Sequence, residues 1–388
     1  MLRPMALAAF IAACLPISAA PAQEKPPIKF GNIAIMSGPA ASSGNMEKSV
    51  LDVAVEDINA AGGINGSKVI EQTEDAQLDP GQAVLMYRKL AAENAVGVIG
   101  PVTGTQWQTV APIAQQVKVP AATVNAVASG ITVRPWTIRL EPPDDVIIPQ
   151  AVDLFLKKFP AVKKVAIFAD SGESSTLNAA NLFKSLAKKN NLEVVGETVG
   201  FTGKTMDLSP AAIEIKRLDP DALWGSALPP QQLLLAKALA AQGFDKPKLA
   251  NNIFWPGNFV STVGEAGKGW YIPGFSTNDK VFGDNARYQG VSKRIIERVS
   301  KIPGTGTNIS QATIAYDTAM VYADILRKAG VDGNTPIAQA REKLKDGFLA
   351  LKEYSGLNIY KIMPDGDGDV KQVLLIVDVP SGQWKFAE

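Results

Sequence analysis

The chain has 388 residues, with 39 basic and 38 acidic side chains and no histidine. That length allows two or three domains of ~150 residues, and the absence of histidine excludes a Ser-His-Asp triad, a Cys-His pair and a His-ligated zinc. A net charge of +1, with no basic run longer than pairs such as Lys157-Lys158, gives no basic face for phosphates, so nucleic acid is not an expected partner.

Residues 1–22 pattern as an export signal. Arg3 supplies the positive start, an apolar stretch follows from Met5 to Ile17, and Ala20-Pro21-Ala22 fits the small-residue cleavage pattern, so cleavage is expected after Ala22. Pro16 interrupts the stretch, which falls short of the ~20 residues a spanning helix needs. The mature chain is therefore expected to be exported, with no membrane span. Cys14, the single cysteine, follows Ile11-Ala12-Ala13 in a lipobox-like run, and a lipid anchor at Cys14 is the alternative. Under either reading the mature fold has no disulfide.

Beyond the signal, strands and helices alternate. Strands are predicted at 28–36, 68–74, 96–100 and 119–124. Between them fall a helix with Leu51, Val55 and Ile58 on one face, ended by Gly62-Gly63, a helix from Pro80 to about Glu93 with Asp79 as its cap, and a helix over 105–117. The pattern restarts with strands at 164–169, 192–201, 222–225 and 248–251, separated by helices over 176–190, 208–218 and 230–242. The last third is helix-rich, at 284–300, 310–329 and 336–346, and closes on two strand-like runs around Asp365-Gly366-Asp367-Gly368-Asp369. Two βα series call for an α/β protein of two doubly wound parallel-sheet lobes, with the cleft between them lined by turns at the carboxyl ends of the strands.

Several chemical motifs fail on spacing. Gly203-Lys204-Thr205 resembles the end of a phosphate loop, but Thr198 stands where that motif needs glycine. Ser185 and Lys188 have S-x-x-K spacing within an amphipathic helix. Asp365, Asp367 and Asp369 start like a calcium loop, yet Val370 replaces the required glycine and Ile376 the closing glutamate, which leaves a polar hairpin turn. No cofactor, metal or catalytic residue is expected.

Ile33–Gly44 (IAIMSGPAASSG), Glu56–Gly66 (EDINAAGGING), Glu74-Asp75 with Asp79-Pro80, and Val98–Pro101 (VIGP) occur in order. Together they resemble periplasmic solute-binding proteins of the leucine/isoleucine/valine type, the receptors of ATP-driven importers. The likeness continues through Phe168-Ala169-Asp170, Asp207-Leu208-Ser209 and Gly368-Asp369. It implies the type I periplasmic binding fold, two lobes joined by three crossings. Lobe one would be 28–141 with 275–372, lobe two 142–274 with 373–388, and residues 138–143 the first crossing. It also implies a monomer in the periplasm that is not an enzyme and that hands a small molecule to an inner-membrane ABC permease. The same clamp used as a sensor for a membrane signalling partner is the alternative.

The turn Gly100–Thr105 (GPVTGT) runs from a strand end into a helix N-terminus, where free N–H groups and the helix dipole favour an anion. By resemblance Thr103, Gly104 and Thr105 align with the grip on a ligand carboxylate; the alternative is that the hydroxyls only cap the helix. Asn125–Ser129 (NAVAS) aligns with the next contact loop, with Asn125, Ala126 and Ala128 at its contact positions and the family's threonine missing. Ser42 and Ser43 fall in the first loop, where the family also touches ligand; a plain turn is the alternative. Ser174 stands where the family's tyrosine is common.

The stretch 250–258 (ANNIFWPGN), where relatives place an acid for the ligand's ammonium, has none. An ammonium buried without a partner costs several kcal/mol, and Asp170 and Glu173 are the remaining candidates for it. Asn252 and Trp255, with Trp107 as a second wall or a core residue, suit a planar body. The expected ligand is a small carboxylate without an α-amino group, an aromatic acid foremost. A neutral amide and a branched-chain amino acid are the alternatives.

Overall fold

The computed structural model describes residues 24–38, 40–251, 259–275, 286–303, 313–369 and 372–387. The export signal with Cys14, and the expected contact residues Asn252 and Trp255, lie outside the described residues.

The first lobe is built on a five-stranded parallel sheet in the order β2-β1-β3-β4-β5. These strands are β1 (Ile28–Ala34), β2 (Val69–Asp75), β3 (Gly97–Ile99), β4 (Ala121–Thr123) and β5 (Thr137–Arg139). Its helices within this stretch are α1 (Ala41–Ala60), α2 (Pro80–Ala92) and α3 (Gly104–Val117). Strands buried on both faces read as nearly continuous apolar runs, as β1 does. As predicted, Asp79 caps α2, accepting from the Gln82 N–H at 2.8 Å.

The chain then enters the second lobe through α4 (Asp144–Lys158), β6 (Lys164–Asp170), α5 (Ser174–Lys189), β7 (Glu193–Val194), β8 (Val199–Phe201), α6 (Ser209–Arg217), β9 (Ala222–Ser226), α7 (Pro229–Ala241), β10 (Lys248–Ala250), α8 (Phe259–Val263) and β11 (Trp270–Phe275). It returns to the first lobe with α9 (Ala286–Val299), α10 (Thr313–Lys328), α11 (Ile337–Ala350) and a small antiparallel sheet of β12 (Glu353–Ser355), β13 (Ile359–Ile362) and β14 (Gly368–Asp369). A last passage carries β15 (Gln372–Asp378) and β16 (Gln383–Phe386) back to the second sheet, whose order is β16-β15-β11-β10-β9-β6-β7, with β8 also on β6. The chain thus passes between the lobes three times.

Each sheet is covered on both faces. In the first lobe one apolar cluster joins α1, α9, α10 and α11 to the sheet, and another joins α2 and α3 to its other face. In the second, α6, α7 and α8 take one face and α4 and α5 the other. Residues 192–201, expected as one strand, form two short ones. Gly196 lies between them at φ +68, and this left-handed residue breaks the ladder.

Candidate ligand cleft

The cleft is built where the N-terminus of α3 meets the N-terminus of α5. Leaving β3, the chain turns at Gly100, whose φ of +88 and close approach to the Ile33 carbonyl admit no side chain. Thr103 then caps α3, its hydroxyl accepting from the Gln106 N–H at 3.3 Å. Its hydroxyl is spent on the helix, as the capping alternative has it.

Gly104 and Thr105 face the second lobe. A Cβ added to Gly104 would lie 2.1 Å from Ser175 Oγ, 2.9 Å from Ser174 Oγ and 3.0 Å from a Glu173 carboxylate oxygen. The Thr105 N–H donates to that Glu173 oxygen at 3.1 Å, and the Thr105 hydroxyl accepts from the Ser174 N–H at 3.1 Å. Glu173 is also the N-cap of α5, the same oxygen accepting from the Ser175 N–H at 3.2 Å. One carboxylate oxygen therefore serves two helix N-termini whose positive ends would otherwise face each other uncompensated. Ser175 Oγ, buried beside Gly104, has no hydrogen-bond partner.

The loop after β4 is held from behind. Arg139 donates from Nη1 to the carbonyls of Ala126, at 2.5 Å, and Ala128, at 2.8 Å. The same guanidinium grips Asp367 with two further bonds, and Thr132 also donates to that carboxylate. Asp367 lies, as read from the sequence, at the hairpin turn between β13 and β14, but its carboxylate is buried. Asn125 donates from its side-chain Nδ2 to Glu47 on α1 at 3.5 Å, and its side-chain Oδ1 has no partner.

Buried acids ring this region. Burial pushes Glu47 up to about 8, with like charge from Glu71 and Glu141 adding to the effect. Asp144, the first residue of α4, is pushed up to about 7 by burial, while hydrogen bonds from Asn178 and Asn251 and the charge of Arg139 act against the rise. Its N–H donates to the Val127 carbonyl at 2.7 Å, and its carboxylate accepts from Asn251 at 3.3 Å. Asp144 therefore links the contact loop of lobe one to the end of β10 in lobe two. Asp170 folds onto its own turn, accepting from the Gly172 N–H at 2.9 Å, a structural role that leaves Glu173 as the acid at the interface.

One expectation is corrected, and of the two readings of Trp107 the core residue is the one observed. Ser42 and Ser43 lie in the first turn of α1, half-buried, and not in a loop. Trp107 is fully buried with Tyr87, Leu90 and Val98 in the cluster under α3. The helix runs away from the cleft, so a side chain one turn in packs against α2 and the sheet and forms no cleft wall. Thr105, Gly104 and Ser174 are brought together; Ala126 and Ala128 lie behind them with their carbonyls turned to Arg139. Sequence reasoning missed Arg139, Asp144, Glu47 and Glu141. Among the described residues no cluster could hold a metal ion, and no described helix is long and apolar enough to cross a membrane.

Two sheets wound in the same sense, three passages and facing helix N-termini at the cleft define a two-lobed binding protein. A family model for periplasmic binding proteins matches residues 27–383, and the chain belongs to that family. The Leu/Ile/Val-binding protein BraC3 of Rhizobium johnstonii is 31% identical over 215 residues, 55% of this chain and 58% of that protein. The Leu/Ile/Val-binding protein homolog 7 of Brucella suis biovar 1 is 25% identical over 333 residues, 83% of this chain and 82% of its own length. Across the first three curated relatives the match spans 58%, 64% and 61% of their length.

Among solved structures, the branched-chain amino acid transporter substrate binding protein LivJ of Streptococcus pneumoniae, in complex with isoleucine, superposes with TM-score 0.80 at 21% identity, covering 93% of this chain and 99% of that one. An R. palustris ABC-transporter solute binding protein in complex with 4-hydroxybenzoate gives 0.77 at 22% identity, covering 93% and 95%. Both share the fold.

Proposed function

We propose that this chain is an exported receptor that captures a small carboxylate without an α-amino group, an aromatic acid foremost, between its lobes. It then delivers that acid, as a periplasmic monomer, to an inner-membrane ABC permease. The observation that carries the reading is the Thr105 N–H, which donates to a carboxylate oxygen from across the cleft at 3.1 Å. The α3 N-terminus is thus a place where a carboxylate fits between the lobes. Ligand that touched both lobes there would favour their closed arrangement, and closure is the signal a permease reads.

Two observations support an acid without an amine. Glu47 is held toward its neutral form near pH 7, and Asp144 is engaged by two asparagines, so neither stands ready for an ammonium. The solved solute binding protein in complex with 4-hydroxybenzoate, which shares this fold, supports the reading. A second reading, a branched-chain amino acid receptor, is favoured by the names of the curated relatives and by Glu173, which would lie beside an ammonium if a ligand carboxylate took the Thr105 N–H. Use of the clamp as a sensor requires the same cleft.

Thermal unfolding against 4-hydroxybenzoate, benzoate, the α-keto analogue of leucine, leucine, isoleucine, valine and short amides tests the reading. A ligand at about 100 times its Kd adds ~2.7 kcal/mol, a shift of a few degrees. Shifts with the acids and not with leucine support the proposal. A largest shift with leucine, isoleucine or valine transfers the cleft to the second reading.

A further inference from the structure

The cleft contains its own carboxylate. We propose that Glu173 is a built-in competitor for the ligand's carboxylate and thereby sets which acids the cleft accepts; this rests on the reading of the cleft as a carboxylate receptor.

The Thr105 N–H points at one acceptor, the Glu173 oxygen at 3.1 Å. A ligand carboxylate seated there would need that same donor and would bring a second negative charge against the first. Glu173 must therefore leave Thr105 for an acid to enter. It need not leave its own helix: its bond to the Ser175 N–H, at 3.2 Å, lies wholly within the second lobe.

Ser175 Oγ is ready to serve the newcomer. It is buried beside Gly104 and has no partner, and a hydroxyl is free to turn its proton toward whichever acceptor replaces Glu173. The exchange is thus one carboxylate for another, with one hydrogen bond gained. What decides it is the rest of the ligand. Acetate has no body with which to offset the displacement of Glu173, whereas an acid carrying an aromatic ring buries apolar surface in the same event. Glu173 in this role sets a threshold that excludes the smallest acids.

Two variants separate charge from reach. Glu173→Gln keeps an acceptor at both N–H groups and removes the charge. Glu173→Asp keeps the charge and a good N-cap for α5, but is one methylene too short to reach Thr105. Titration calorimetry of wild type and both variants with 4-hydroxybenzoate, acetate and leucine reads the effect. The expected result is a Kd for 4-hydroxybenzoate lowered about tenfold in Glu173→Gln, the scale by which a charge-assisted hydrogen bond exceeds the neutral one the glutamine retains. A smaller tightening is expected in Glu173→Asp, with measurable acetate binding only in the variants.

Unchanged or weakened 4-hydroxybenzoate binding in both variants, with the wild type binding it, overturns the competitor and leaves the receptor reading standing. Leucine binding to the wild type that weakens in Glu173→Gln makes Glu173 an ammonium partner and overturns the competitor as well. If no acid binds any of the three proteins, the receptor reading itself fails and the competitor falls with it.

Discussion

Arg139 and Asp367 meet as a two-pronged buried pair, Nε to Oδ1 at 3.0 Å and Nη2 to Oδ2 at 2.6 Å, although 228 positions separate them in the chain. Arg139 ends β5, just before the first passage between the lobes, and Asp367 stands just before the third. The Arg139 N–H also donates to the Gly366 carbonyl at 3.0 Å, so backbone and side chain fasten the two passages together. Because the remaining guanidinium nitrogen holds the Ala126 and Ala128 carbonyls, the hinge and the contact loop share one cation.

Breaking that pair from one side should therefore be costly. Arg139→Met leaves Asp367 buried without its partner and is expected to destabilise by about 3–5 kcal/mol. Arg139→Lys keeps the charge, loses the fork, and should fall between wild type and Arg139→Met. The double variant Arg139→Met with Asp367→Leu should recover more than half of the loss, since no charge then stays stranded. Urea unfolding of the four proteins checks this; a double variant no better than Arg139→Met refutes it.

Gly104→Ala is expected to damage binding and not stability. The added methyl would stand 2.1 Å from Ser175 Oγ and 3.0 Å from Glu173, groups of the opposite lobe, so the lobes must separate to admit it. Within lobe one alanine favours the helix. Ligand affinity should fall at least tenfold, with a larger radius of gyration by X-ray scattering and a thermal midpoint near that of wild type. Unaltered affinity would place the ligand elsewhere.

Glu47 should make stability depend on pH. Its folded pKa of about 8 lies above that of a solvated glutamate, so the folded state keeps a proton that the unfolded chain has already released. Stability is thus unpenalised below about pH 4, falls as pH rises toward 8 by up to about 1.4 kcal/mol per pH unit, and levels off above the folded pKa. Glu47→Gln removes this dependence. Unfolding free energies at pH 5 to 9 should show the variant gaining on wild type up to pH 8 and running parallel beyond it. A constant difference across the range would mean that Glu47 is ionised throughout.

The βα alternation was legible because period and punctuation are local properties. Asp79-Pro80 marks a helix start within two residues, and the turn ahead of α3 carries its own glycine and cap. The same locality brought Gly104 and Thr105 into consideration, whereas Ser174 entered through the family resemblance. Helix α4 was missed because Pro143 stands just before it and Pro149 inside it, and prolines normally punctuate a helix. Partners far apart in the chain leave no periodic trace, so Asp367 read as one more acid in a polar turn. Trp107 was placed by its distance along the helix, whereas the helix's direction away from the cleft decided where the indole went. Glu47 sits on α1, where an acid ordinarily faces water; only the burial that the completed fold imposes shows that it does not.

The order of strands in the second sheet has a consequence for how the protein is made. Strand β11 is flanked by β10 on one side and by β15 on the other, with Tyr271 paired to Ile376, so the sheet waits for residues more than a hundred positions later. The first lobe waits as well, because Tyr322 and Phe348 belong to the core under β1. A chain emerging from its N-terminus can therefore finish neither lobe until nearly all of it is out. Until then the partial second sheet ends on the unpaired edge of β11, the kind of edge on which an unfinished chain pairs with the wrong partner.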